Sequence, residues 1–200
     1  MTTANIIPPI PDDCMATPEA LVVVLFLAGS AYESAQVARQ WLPMVPRVCF
    51  TSVEIFGSAW HIGRPSLKDK IAGTAGSLGI DPGKVILVGI GEAGRLAIDL
   101  ALGDSLPTFG VIAFDIAAPS ELPHSTRSNA RIRLVQHASD EDPEGVRFGE
   151  LVAAMRRRDI DYRATLLPPN QGHERMMRAG AAYLVELVAM ASTPHGKRIN

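Results

Sequence analysis

The chain has little cysteine, and we expect neither a signal peptide nor a membrane span in it. Among its 200 residues there are only two cysteines, Cys14 and Cys49, which are far apart and do not have the spacing of a metal site. The first residues carry prolines and no basic stretch where a signal peptide needs an apolar helix. The apolar run at 21–27 is too short to span a bilayer. We therefore expect a cytoplasmic protein without disulfides or a membrane span.

The chain also has no large excess of charge of either sign. Its 19 basic and 21 acidic residues give a formal net charge of −2 and are interspersed, so no basic surface for nucleic acid is expected. The cluster Arg156-Arg157-Arg158 is interpreted as the solvated face of a helix. A chain of this length can bury one core of its own. We expect one domain at 18–192, with tails at 1–17 and 193–200.

Strand-like runs and helical patterns alternate along the chain. Apolar or β-type runs predict strands at 21–27, 47–55, 85–88, 110–114, 131–136 and 162–167. Helical spacing of apolar residues predicts helices around 37–42 and at 67–78, 92–102, 148–155 and 177–188. Regular alternation of this kind predicts an α/β fold, a mostly parallel sheet with helices on both faces.

The most informative segment is VILVGIGEAGRLAIDLAL at 85–102, which fits two motifs. Gly89, Gly91 and Gly94 have the spacing of a dinucleotide-binding turn, with Asp115 about twenty residues on as a ribose-binding acid. The same turn fits the nucleophile elbow of an α/β-hydrolase, with Gly91 where the serine should stand. The turn lies in mid-chain, behind two predicted strands, which disfavours the dinucleotide interpretation.

Segments on both sides of this turn favour the hydrolase. The approach LGIDPGKVILVG resembles that of the bacterial phospholipase/carboxylesterase (acyl-protein thioesterase-like) family, a branch of the α/β-hydrolases. Further segments resemble family motifs in the right order, from about 21 to 188: LAG at 27–29, AW at 59–60, HASDEDP at 137–143 and GHE at 172–174. The resemblance implies a single-domain α/β-hydrolase fold and a small-molecule ester or acyl ligand. It implies no cofactor and no metal.

The resemblance also implies roles for individual residues. His173 stands where the family has the triad base, and Asp142 is the acid that fits best, with Asp140 and Glu141 as rivals. The backbone N–H groups of Ser30 and Glu92 are the expected oxyanion donors. Gly91 stands at the nucleophile position, which is therefore vacant.

A glycine at the nucleophile position cannot form an acyl-enzyme, so the expected state is a catalytically impaired pseudo-enzyme that keeps its pocket for binding or regulation. One alternative is an active carboxylic-ester hydrolase with a substitute nucleophile, Ser30 or Cys49. A lesser alternative is an NAD(P)-binding Rossmann protein. Asp115 is interpreted as a strand-end cap, with a replacement acid as the alternative, and the remaining histidines (His61, His124, His137 and His195) as structural or solvated. A monomer or a homodimer is expected.

Overall fold

Six parallel strands form one sheet. The computed structural model describes residues 22–28, 31–45, 48–55, 64–103, 106–116, 122, 129–138 and 146–192. Within them the strands are β1 (Val22–Ala28), β2 (Val48–Glu54), β3 (Val85–Ile90), β4 (Gly110–Phe114), β5 (Arg131–His137) and β6 (Tyr162–Leu167). Their order across the sheet is β2-β1-β3-β4-β5-β6, and every neighbouring pair is parallel. The strand order therefore reverses between β1 and β3.

Helices cover both faces of this sheet. They are α1 (Ala31–Trp41), α2 (Arg64–Ser77), α3 (Glu92–Leu102), α4 (Val146–Arg157) and α5 (His173–Ser192). One core cluster joins α2, α3 and α4 to one face of the strands, and a second joins α1 and α5 to the other. The predicted α/β fold is confirmed. The division into a domain and two tails stays a prediction, since both tails lie outside the described residues.

The central strands are buried on both faces, which explains why their sequences are apolar without alternation. In β1 the side chains of Val22, Val23, Val24 and Leu25 are all 0% exposed, and they alternate between the two core clusters. β3 continues the buried run to Gly89 before Ile90 emerges. Parallel strands place all their carboxyl ends at one edge of the sheet, and the loops that leave this edge carry the candidate site residues.

Helix α5 is held close to the sheet by an aromatic cluster. Trp41 of α1 is 1% exposed, and its indole N–H donates to the carbonyl oxygen of Met177 at 3.2 Å. The same ring lies 6.2 Å from that of Phe114, centre to centre. Gly180 faces Phe114 so closely that a Cβ would collide with the ring. These contacts fix the N-terminal half of α5, and with it His173, at the carboxyl edge.

A buried arginine ties β5 to β6 and α5. Arg133 is 1% exposed, and its guanidinium donates to Asp161 at 3.0 Å and to Glu186 of α5 at 2.7 Å. Arg163 of β6 lies 3.1 Å from the second oxygen of Glu186. Removing Arg133 would leave the Glu186 carboxylate, whose side chain is 21% exposed, with one partner fewer.

We predict that Arg133→Ala lowers the free energy of unfolding by about 2–3 kcal/mol, because it opens a buried site and takes one of two arginine partners from each of Asp161 and Glu186. Arg178→Ala is the matched control. Its pair with Glu174 has the same N–O distance, 2.7 Å, but the two side chains are 76% and 84% exposed. We expect a loss below about 0.5 kcal/mol for the control. Urea unfolding measures both, and equal losses would contradict this account of the buried pair.

Candidate functional site

The chain passes from β3 into α3 through a single residue, Gly91. Its backbone angles are φ 59° and ψ −127°, and it is the N-cap of α3. Its N–H donates to the carbonyl oxygen of Phe114 at 2.7 Å, and its own carbonyl oxygen accepts from Arg95 at 3.0 Å. L-residues adopt this combination of angles only under strain. The turn is sharp, and it lies beside the point where the strand order reverses, where open α/β sheets have their ligand crevices.

The other two glycines of the turn allow α3 to pack directly on the sheet. A Cβ at Gly89 would lie 2.5 Å from the backbone of Ala93 and Gly94. A Cβ at Gly94 would lie 2.7 Å from the carbonyl oxygen of Gly89 and 2.9 Å from Ile116. The spacing of these glycines is therefore accounted for by a close strand–helix contact, without a bound phosphate.

Gly91 itself faces open space. Among the described residues, no atom lies within 4 Å of the position that a Cβ would take. Ile90, next to it, is 45% exposed although it is large and apolar. Glu92 is exposed in the first turn of α3, and the N–H groups of that turn have no partners within the helix. An apolar surface and free backbone donors therefore adjoin the space beside Gly91.

An aspartate–histidine pair lies at the same edge, at the ends of the next two strands. Asp115 follows β4, and its Oδ1 accepts from the backbone N–H of His137 at 2.7 Å. Its Oδ2 lies 2.9 Å from Nδ1 of the His137 ring. The two side chains are 34% and 19% exposed. Asp115 thus bonds to the last residue of β5, the strand next to its own, and it also orients the imidazole of His137.

The sequence gives His137 no partner at an informative spacing, yet its ring is paired with Asp115. Its partner is 22 residues away in sequence and has no periodic relation to it, so sequence spacing does not reveal the pair. The signal that could have found it is topological: Asp115 and His137 each end a predicted strand, and parallel neighbours bring such residues together. Asp115 also has a positive φ of 43°, a conformation that aspartate tolerates better than most residues.

Of the residues expected at the triad positions, the structure describes Gly91 and His173 but not the candidate acids. His173 is the first residue of α5 and is exposed. No carboxylate partner for it is found among the described residues. Ser30, Asp140, Glu141 and Asp142 lie outside the described part of the chain, as do His61, His124 and His195. Whether His173 meets Asp142 and Gly91 therefore stays a prediction.

In the part of the chain that the structure describes, no cluster of three His, Cys, Asp or Glu side chains is placed to hold a metal ion. None of the described helices is long and apolar enough to cross a membrane.

Comparison with solved structures identifies esterases that share this fold. Esterase PE8 superposes with a TM-score of 0.68 at 20% identity, over 86% of this chain and 95% of that one. The thermophilic esterase 2 from the Planctomycetes species Thermogutta terrifontis gives 0.63 at 14% identity, over 88% and 84%. Its propionate-bound form gives 0.61 at 16% identity, over 83% of each chain. No protein-family model matches the sequence, and no curated protein matches it. The chain therefore has the single-domain α/β-hydrolase fold of these esterases.

We predict that Gly89→Ala destabilises the protein by about 2–3 kcal/mol, because its Cβ would press against the backbone of α3. Gly149→Ala in α4 is the control, since no described atom lies within 4 Å of its Cβ position. There the helix should gain about 0.5–1 kcal/mol, since alanine favours a helix interior over glycine. Thermal unfolding of both variants tests this, and a tolerated Gly89→Ala would show that the strand–helix contact can relax.

Proposed function

We propose that this protein is a homologue of the phospholipase/carboxylesterase (acyl-protein thioesterase-like) hydrolases that has lost acyl transfer. It binds a small ester or acyl ligand, and it acts by binding or regulation. The observation that carries the proposal is the turn at Gly91, which combines the backbone angles of a strained strand-to-helix turn with a residue that has no side chain. We assign Gly91 to the position of the nucleophile in this family.

The chemical consequence follows from the missing hydroxyl. Serine hydrolases attack the ester carbonyl through a side-chain oxygen and pass through an acyl-enzyme. Gly91 has no atom that can form this bond. Losing the nucleophile costs roughly 10⁶-fold in rate in a serine hydrolase, although an intact oxyanion site can leave a residual rate. The proposed state is therefore binding without turnover.

Features beside Gly91 support retention of an acyl site. We propose that the N–H groups of Glu92 and Ser30 bind the carbonyl oxygen of the ligand, as oxyanion donors do in acyl transfer. The half-exposed side chain of Ile90 supplies apolar surface for the chain next to that carbonyl. The space at Gly91, which a serine side chain would otherwise occupy, is open to the ligand in this proposal.

We assign His173 to the position of the triad histidine. It follows β6 and begins α5, and its exposure leaves it free to reach a ligand. Asp142 is the proposed acid partner, with Asp140 and Glu141 as rivals, because all three follow β5. The cytoplasmic location and the monomeric or homodimeric state remain part of the same proposal.

A second candidate is an active ester hydrolase with a substitute nucleophile. Cys49 does not suit this role, because it is 5% exposed and is the second residue of β2, near the amino edge of the sheet. Ser30 is the remaining candidate of the two. The dinucleotide alternative has less support, because the turn follows the third strand of the chain, whereas the dinucleotide-binding turn follows the first.

We predict that the wild-type protein hydrolyses short p-nitrophenyl acyl esters no faster than His173→Ala, because no hydroxyl is present for His173 to activate. Steady-state assays of both proteins at equal concentration measure this. A clear wild-type rate that His173→Ala abolishes would favour the second candidate, with Ser30→Ala as the next variant to assay.

We predict that Gly91→Ser gains esterase activity over wild type by at least about tenfold, still far below the roughly 10⁶-fold contribution of a nucleophile in an evolved triad. The space for the side chain is open, but the positive φ opposes serine by about 1–3 kcal/mol.

The matched control for this gain is Gly91→Ala, which carries the same backbone strain without a hydroxyl. The double variant Gly91→Ser/His173→Ala tests the base. A folded Gly91→Ser protein whose rate equals that of Gly91→Ala would contradict the assignment of Gly91 to the nucleophile position.

A further inference from the structure

The Asp115–His137 pair leaves one ring nitrogen of the histidine without a partner. Asp115 is bonded to Nδ1 at 2.9 Å, and a carboxylate at Nδ1 requires the proton of the neutral ring to be there. Nε2 then carries a lone pair and is a hydrogen-bond acceptor. Nε2 is buried, and it has no hydrogen-bond partner among the described residues. Buried polar atoms in folded proteins are nearly always paired.

A second buried acceptor belongs to the same region of the fold. The Oε1 atom of Gln171 is also buried and without a partner in the described residues. Gln171 lies in the loop from β6 to α5, and Leu167 at the end of β6 is the register partner of His137. Both orphan atoms accept hydrogen bonds, so the group that would satisfy either of them is a donor.

The pair is joined to the turn at Gly91 by hydrogen bonds across the strand ends. Gly91 donates to Phe114 at 2.7 Å, and Asp115, the next residue, holds His137. The ends of β3 and β5 are two strands apart, which corresponds to about 10 Å. A ligand with its carbonyl group at Gly91 and a chain of a few carbon atoms therefore has the length to reach His137.

The surroundings of His137 determine which groups can donate a hydrogen bond to its Nε2 atom. Along β5 its side chain shares a face with Val135, and its neighbour Leu167 belongs to the same apolar cluster as Met176 and Met177 of α5. A carboxylate ligand would place an oxygen lone pair against the lone pair of Nε2 and a negative charge near that of Asp115, and both contacts are repulsive. A neutral hydroxyl or amide N–H group avoids both penalties.

We propose that Nε2 of His137 accepts a hydrogen bond from a hydroxyl or amide N–H group of the ligand, at the end away from the ester or acyl carbonyl. This inference rests on the proposed function, since the carbonyl at Gly91 sets where the ligand begins. It specifies the ligand as an ester or acyl compound with a neutral donor on its chain. Asp115 acts through His137, as a positioning residue that fixes the tautomer.

The test compares two esters that differ only at the distal group: methyl 6-hydroxyhexanoate, and methyl heptanoate, in which a methyl group replaces the hydroxyl. Their Kd values are measured by NMR titration on the wild-type protein and on His137→Asn. The asparagine amide can still donate to Asp115 from the position of Nδ1 but has no atom at Nε2. We expect the preference for the hydroxy ester, taken as the ratio of Kd values, to fall about three- to tenfold in His137→Asn.

Gln136→Leu is the matched control. Its Oε1 is likewise buried and without a partner among the described residues, but adjacent residues of a strand face opposite sides of the sheet. The Kd ratio should therefore be unchanged in Gln136→Leu. Should His137→Asn unfold, Asp115→Asn provides the second variant, because an amide can donate to Nδ1, moving the ring proton to Nε2 and removing the acceptor.

Two other outcomes separate this inference from the proposed function. Equal Kd ratios in wild type and His137→Asn, with both esters bound, would overturn the role of His137 and leave the acyl site intact. No saturable binding of either ester would overturn the inference, and the acyl site would fail with it. Activity of Gly91→Ser bears on the proposed function alone, since it does not depend on a distal hydroxyl.

Discussion

The turn from β3 into α3 has to reverse the direction of the backbone in one residue while a helix packs on the strand that precedes it. Three glycines satisfy these requirements in different ways. Gly91 adopts a positive φ, whereas Gly89 and Gly94 remove the side chains that would separate the strand from the helix. The hydrogen bond from Gly91 to Phe114 then connects this turn to the end of β4. The positions of the free N–H groups of α3 and of Asp115 both depend on this geometry.

The two edges of the sheet carry different sets of polar side chains. At the amino edge, charged side chains pair with one another and tie β5 to α5 through Arg133. At the carboxyl edge, His137 Nε2 and Gln171 Oε1 are buried without partners among the described residues, as are Thr108 Oγ1 and Arg133 Nε at the amino edge. Unpaired atoms of this kind are costly where nothing binds, and those of His137 and Gln171 lie on the side of the sheet that has the open turn.

Much of the fold could be predicted from the sequence because local patterns reflect burial directly. The bounds of α3, β4 and β6 agree with their predicted ranges, since each run is limited by glycine, proline or a change of period. Other bounds differ. α5 begins at His173, four residues before the first residue of its predicted range, because its first turn is polar and exposed. β3 extends to Ile90, two residues beyond its predicted end, because Gly89 interrupts the apolar run from which the strand is predicted.

The candidate site was harder to predict, because its residues meet only through the topology of the sheet. Gly91 could be recognised from a local motif, but Asp115 and His137 come from separate strands, and nothing in their spacing relates them. At Gly91, the absence of a side chain lets the backbone adopt angles that would be strained in any other residue. Two of the glycine codons, GGT and GGC, differ from a serine codon by a single base, so a gene that uses either of them at this turn is one point mutation from placing a hydroxyl there. In the proposed function, the loss of that atom is a small step in sequence, and it leaves the architecture around it available for either state.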